Sequence, residues 1–259
     1  GCYVSYHRGF RDGVRDIMTA TSEDFVRWSE PVWIEYGETP AEHLYTNQIE
    51  PYPRSPHIYV GFPKRFLPDR NPTHHPAGGI SDVVFMSSRN GVDFQRRGEA
   101  VIRPGLQPAR WVSRNNFVAW GLVDTESPIE GNGPELSLYS AEAYYRGVGT
   151  RMRRYTLRLD GFASLNAPLS GGTCITKPFT FKGNGLELNY STSAAGLVRI
   201  SVLDAEKKRI PGIEFEDIYG DSLGEFIVPQ TGSLSALNEK PVRLAFELFD
   251  ADIYSFMFL

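Results

Sequence analysis

One stretch of this chain recurs 66 residues later without a gap. Arg15-Asp16-Ile17-Met18-Thr19-Ala20-Thr21-Ser22-Glu23-Asp24-Phe25-Val26-Arg27-Trp28 aligns with Ser81-Asp82-Val83-Val84-Phe85-Met86-Ser87-Ser88-Arg89-Asn90-Gly91-Val92-Asp93-Phe94. Each copy runs acid, apolar strand, serine, polar turn, aromatic. A weaker third copy begins at Glu135-Leu136-Ser137-Leu138-Tyr139-Ser140. Repeats of roughly 40–65 residues made of strands and hairpins are what β-propeller blades look like. Repeated hairpins in a sandwich would leave the same trace. In the Ser-x-Asp/Asn-x-x-x-aromatic turn, the short polar side chains are expected to cap the hairpin backbone. The aromatic is expected to pack between neighbouring sheets.

The rest of the chain agrees with an all-β fold. Cys2–Tyr6, His57–Phe62 and Asp82–Met86 are short β-branched and aromatic runs bounded by Gly, Pro, Asn or Asp. The best helical candidate, Ser140–Tyr145, is too short for more than about one turn. The 25 glycines and 18 prolines exceed the usual roughly 7% and 5%, as many tight turns require. The repeat stops after Thr150. Beyond it come alternating strands at Leu186–Tyr190, Leu197–Val202 and Val242–Leu248, a pattern suited to a β-sandwich. The expected organisation is therefore propeller blades over 1–156, incomplete in number, and a β-sandwich over 157–259.

The hairpin from Arg15 to Ser29 resembles those of five-bladed propeller glycoside hydrolases, the invertase/levanase and arabinanase/xylosidase groups. Ile49-Glu50-Pro51-Tyr52, with Pro56–Phe62, is similar to a blade start in which the family's Glu is the general acid. The tail, at Leu157–Ser164, Thr176–Phe181, Leu188–Gly196, Lys240–Leu244 and Asp252–Phe256, resembles the sandwich that follows the propeller in a bacterial, largely uncharacterised branch. The resemblance implies a glycan as partner and an extracellular or periplasmic location. It also sets a departure. Five blades need roughly 250–300 residues at about 50–60 each, and about 155 precede the sandwich. No segment matches the family's first catalytic carboxylate. Either a preceding portion of the protein is absent, or this is a reduced relative. An incomplete propeller would expose sheet edges and so pair with that portion or with a second copy.

Glycoside hydrolysis uses two carboxyl groups, one protonating the leaving oxygen while the other attacks or activates water. Four acids are candidates here: Glu50, from the resemblance, and Asp16, Asp82 and Glu135, which hold equivalent places in the repeat and would ring one pocket in a propeller. Each repeat acid also reads as a structural turn or ion-pair residue. Arg15 would hold a carboxylate ionised or bind a hydroxyl. Aromatic platforms suit sugars, whose faces are apolar and rims polar. Tyr52 and Trp120, with Tyr45 and Trp111, lie where they would supply them. His75, in the Pro68–Gly79 loop, and Arg114 and Asn116, in the cluster Arg110/Arg114/Asn115/Asn116, complete the candidate binding set. A carbohydrate-binding protein using the same pocket without an acid pair is the alternative to the hydrolase.

Other classes lose weight. A net charge of −4 disfavours a general nucleic-acid binder, and no run approaches 18 apolar residues. No third ligand is spaced to join His74 and His75 on a metal, and Cys2 and Cys174 form no framework. No phosphate loop, dinucleotide fingerprint, Gly-x-Ser-x-Gly or His-Glu-x-x-His occurs. No cofactor is expected. The first residues carry no basic segment followed by an apolar one, as a signal peptide would.

Overall fold

The computed structural model describes residues 1–259 and is all-β; its only helical segments are three short 3-10 turns. The chain packs into two compact units, one of 1–125 with 136–156 and one of 126–135 with 157–259.

The first unit carries antiparallel sheets in chain order, none of them closed. Strands Tyr3–Arg11 and Val14–Ser22 form a hairpin, joined by Val32–Trp33. The next sheet has six strands, centred on Ile80–Ser88. Lys64–Leu67 and Ser55–Gly61 pair with successive parts of that strand, and Phe94–Ile102 also pairs with it. Ile80–Ser88 is buried almost throughout, as its unbroken Val83-Val84-Phe85-Met86 run requires of a strand covered on both faces. A further sheet is built around Pro134–Glu142. Ile17, Ile34, Leu44, Ile49, Val84, Met86 and Phe94 form one apolar core shared by the first two sheets.

The repeat is a repeat of turn chemistry. In the first copy, the Ser22 hydroxyl accepts from the Phe25 amide at 2.8 Å. Asp24 Oδ1 accepts from Val26 at 2.9 Å and Arg27 at 2.7 Å. In the second copy, Ser88 accepts from Gly91 at 3.0 Å, and Asn90 Oδ1 accepts from Val92 at 3.0 Å and Asp93 at 2.8 Å. The third turn position is left-handed in both, with φ of +64° at Phe25 and +75° at Gly91. Only the second copy places there the residue for which this backbone carries no steric cost. The closing aromatics differ. Phe94 is 1% exposed in the core, while Trp28 is 38% exposed, edge-on to Phe25. The expected packing of Trp28 between sheets is not what it does.

The second unit is built on one five-stranded antiparallel sheet dominated by the pairing of Leu186–Leu203 with Arg243–Phe258. Leu244, Phe246 and Leu248 alternate inward and meet Val198, Ile200 and Val202 in the core. Isolated bridges at the margins of that sheet, Phe179↔Val242 and Val198↔Ile218, and Glu214↔Thr231 in the connecting chain help bring Ile213, Ile218, Leu234 and Leu237 to that core. Pro211, Gly212, Gly220, Pro229 and Gly232 punctuate this stretch, leaving one regular strand, Asp221–Ile227, between Gly220 and Pro229. The long pair is bulged between Thr192 and Leu197. There a Cβ on Gly196 would lie 2.4 Å from the Asp250 carbonyl oxygen, so only glycine fits.

Candidate functional site

The apolar run Gly61-Phe62-Pro63 leads directly into Lys64, the first residue of a strand whose carbonyl and amide bond Tyr45 and Thr46. That pairing places the Lys64 side chain inside the first unit, 2% exposed as a residue. Its ammonium lies 4.3 Å from the ring centroid of Phe117 and 4.8 Å from that of Tyr45. Burial, with Arg114 nearby, pushes its pKa down from the usual 10.5 to about 8. Arg15 stands 5.0 Å from the same Tyr45 ring. These residues line a cavity of about 750 Å³ together with Phe66, Ala77, Ser113, Arg114, Ala141, Tyr144 and Tyr145. No Asp or Glu is among its walls.

Arg114 reaches the cavity on a tightly braced loop. Its own φ is +66° and that of Asn116 is +58°, both left-handed. Asn115 and Asn116 are fully buried. The Asn115 amide nitrogen donates to the carbonyls of Ala109 (3.1 Å) and Val112 (2.9 Å), and its oxygen accepts from the Tyr144 amide at 3.0 Å. Asn116 donates to the Ser81 carbonyl at 2.7 Å and accepts from Arg110 at 3.0 Å. One asparagine thus ties the Arg114 loop to the 3-10 turn Tyr144–Gly149, and the other ties it to the central strand. Arg114 lies 5.6 Å from the Tyr144 ring, and the hydroxyls of Tyr145 and Ser113 are 3.3 Å apart. Behind Tyr145, the His75 ring lies against it at a tilt, centroids 4.5 Å apart, with Nδ1 accepting from the Ala77 amide. Glu142, buried at the end of the preceding strand, is gripped by Arg151 and by Arg153 (2.6 Å); these bonds hold its carboxyl below the ordinary range.

Glu50 stands elsewhere. Its carboxylate accepts from the Leu122 amide at 2.8 Å, and burial raises its pKa against the lowering effect of that bond. It lines a cavity of about 640 Å³ with Tyr6, Asn47, Gln48, Tyr59 and Trp120, among others, and is the one acid there. Trp120 is 71% exposed, its indole donating to the Ile49 carbonyl at 3.4 Å. Tyr52 is buried and lines neither this cavity nor that of Lys64.

Two of the repeat acids, Asp16 and Asp82, are engaged in ion pairs. Asp82 takes Arg65 through both oxygens, at 2.9 and 2.7 Å. Asp16 accepts from Tyr36 at 2.6 Å and pairs with Arg11 at 2.8 Å, beside a cavity of about 90 Å³. Glu135 is half-buried in the strand Pro134–Glu142, in the stretch that groups with the second unit. None of the three lines the Lys64 cavity. Of the residues singled out from the sequence, Arg15, Tyr45 and Arg114 line it, His75 backs one of its rings, and Asn116 braces its loop from a sealed position.

No family model matches the sequence, and no curated protein matches it. The fold is weakly similar to a glycoside hydrolase family 43 arabinoxylan arabinofuranohydrolase from Bacillus subtilis, solved in complex with cellotetraose. The TM-score is 0.33 and the identity 10%, over 93% of this chain and 59% of that one. The chain spans about three-fifths of the length of that protein.

Lys64, Phe66, Phe117, Tyr144 and Tyr145 do not stand out in the sequence as candidate site residues. The signal available was the Lys64-Arg65 pair inside the otherwise apolar run 61–67. In the fold, Arg65 goes to Asp82 and Lys64 goes to no acid. The Tyr144-Tyr145 pair sat at the end of the short helical candidate; the chain is strand to Glu142 and turns only after Ala143, at φ +56°.

Proposed function

We propose that this chain recognises a carbohydrate in the cavity around Lys64, within propeller-like blades over 1–156 that precede a sandwich-type tail over 157–259. The observation that carries the reading is the cavity's composition. Five aromatic rings (Tyr45, Phe66, Phe117, Tyr144 and Tyr145) share its walls with three cationic donors and hydroxyls. Rings offer apolar surface to a sugar face, and the donors meet its rim. About 750 Å³ lies within the range of small-molecule sites.

Recognition is better supported than hydrolysis. The two-carboxylate mechanism needs a pair of acids flanking the bond, and this cavity has no acid in its walls. One observation favours the hydrolytic reading: burial raises the pKa of Glu50, as a general acid requires, and aromatic rings stand beside it. A glycan array probed with the intact chain tests the proposal, followed by a hydrolysis screen of every bound glycan. Tyr145→Ala is expected to weaken binding at least about tenfold, roughly the loss of one well-packed ring, while Glu50→Gln binds as the wild type does. Loss of binding in Glu50→Gln with none in Tyr145→Ala would move the site to the other cavity. Turnover abolished by Glu50→Gln would make the chain a hydrolase.

A further inference from the structure

The first unit pairs its other buried cations with acids. Arg96 meets Glu42 at 2.5 Å, Arg65 grips Asp82 at two points, and Arg110 approaches Glu142 at 3.5 Å. Lys64, the most deeply buried of the cavity's cations, makes neither an ion pair nor a hydrogen bond through its ammonium; its neighbours there are the Tyr45 and Phe117 rings. Arg15 and Arg114 likewise face rings rather than carboxylates.

Rings do not compensate the burial of Lys64. A cation over an aromatic face gains much less than withdrawing an ammonium from water costs, even after relaxation. The chain also carries backbone strain at the same place. A non-glycine residue at φ +66° sits in a conformation that is costly outside glycine, and two sealed asparagines hold Arg114 there. Three cations, Lys64 buried, Arg15 half-buried and Arg114 exposed at the rim, converge on one open concavity whose walls carry no acid, in a protein whose net charge is −4. A protein built to carry a long polyanion spreads its positive charge over a face. Here the positive charge is concentrated in a pocket of small-molecule size, walled by rings.

We propose that the Lys64 cavity binds an acidic saccharide, a sugar whose ring carries an anionic substituent, with Lys64 and Arg114 receiving the anion and the tyrosine and phenylalanine rings receiving the sugar. This rests on the carbohydrate reading above and adds the charge of the ligand to it. A carboxylate of a uronic acid and a sulfate ester share the required chemistry, since both accept charge-assisted hydrogen bonds from guanidinium and ammonium groups.

Calorimetric titration of the intact chain decides the matter. The probes are oligosaccharides of uronic acids, the same oligosaccharides methyl-esterified, sulfated oligosaccharides and neutral ones. At least one acidic probe is expected to bind about tenfold or more tightly than its neutral or esterified counterpart, with affinity falling as salt rises. Whichever acidic arm binds identifies the anion as carboxylate or sulfate. Lys64→Met and Arg114→Gln are expected to abolish the preference, and Lys64→Arg to keep it. Thermal melts show whether each variant is folded, and the wild-type comparison of acid with ester stands without any variant. Equal affinity for acid and ester overturns the anionic ligand while leaving carbohydrate recognition in place. Binding of no saccharide in any arm overturns both.

Discussion

Lys64 is a residue whose cost to the fold can be measured apart from any ligand. With its pKa lowered to about 8 in the folded state against the usual 10.5, the unfolded chain binds more protons than the folded one between those values. Stability from this residue therefore rises with pH across that window. Below about pH 8 the ammonium is charged in both states, and the folded protein carries the full burden of burying it beside Tyr45, Phe117 and Arg114. Lys64→Met should then stabilise the protein near neutral pH by on the order of 1–4 kcal/mol, and the gain should shrink as pH climbs from about 8 towards 10.5. Urea unfolding at a series of pH values checks this; a variant less stable than wild type at pH 7 would mean that Lys64 serves the fold. At this scale the sequence was partly legible. Arg15 and Arg114 stand out as candidates because charged residues beside repeat and loop signals draw attention. Lys64 does not, because its neighbour Arg65 offers the ordinary reading of a paired surface charge, and only the fold separates the two.

The hairpin turns are the elements that sequence specifies most directly. Ser88 and Asn90 supply acceptors to four backbone amides of one turn, Asn90, Gly91, Val92 and Asp93. Ser22 and Asp24 do the same for Phe25, Val26 and Arg27, and that match is why a 66-residue offset is visible at all. Ser88 is buried, so Ser88→Ala leaves amides without a partner where water has poor access. The expected cost is about 1–2 kcal/mol, read as a lower urea midpoint at unchanged slope. A midpoint unchanged in Ser88→Ala would mean that the turn holds without its side-chain acceptors. The acids at the strand starts were legible as repeat positions but not as ion pairs. Asp16 and Asp82 each answer an arginine, Arg11 and Arg65, that lies outside the aligned stretch. The stretch 204–237 of the second unit was the least legible, because its Gly and Pro residues permit many paths and its core contacts join residues far apart in the chain.

Across the whole molecule, the all-β reading follows from short strands, turn residues and the absence of helical period, and it needs no tertiary information. The gathering of Arg15, Tyr45, Lys64, Arg114, Phe117, Tyr144 and Tyr145 into one cavity does need it, since these positions share no motif and come from five separate stretches of chain. The overall charge of −4 conceals a local concentration of positive charge, so composition alone points away from an anionic ligand that the cavity favours. The most direct measurement is amide chemical-shift mapping of the intact, isotope-labelled chain during titration with the tightest-binding saccharide. Shifts are expected to centre on residues 64–66, 113–117 and 141–145, with residues 47–51 and 120–122 little changed. Shifts concentrated around Glu50 and Trp120 instead, with the Lys64 and Arg114 segments silent, would contradict recognition in the Lys64 cavity.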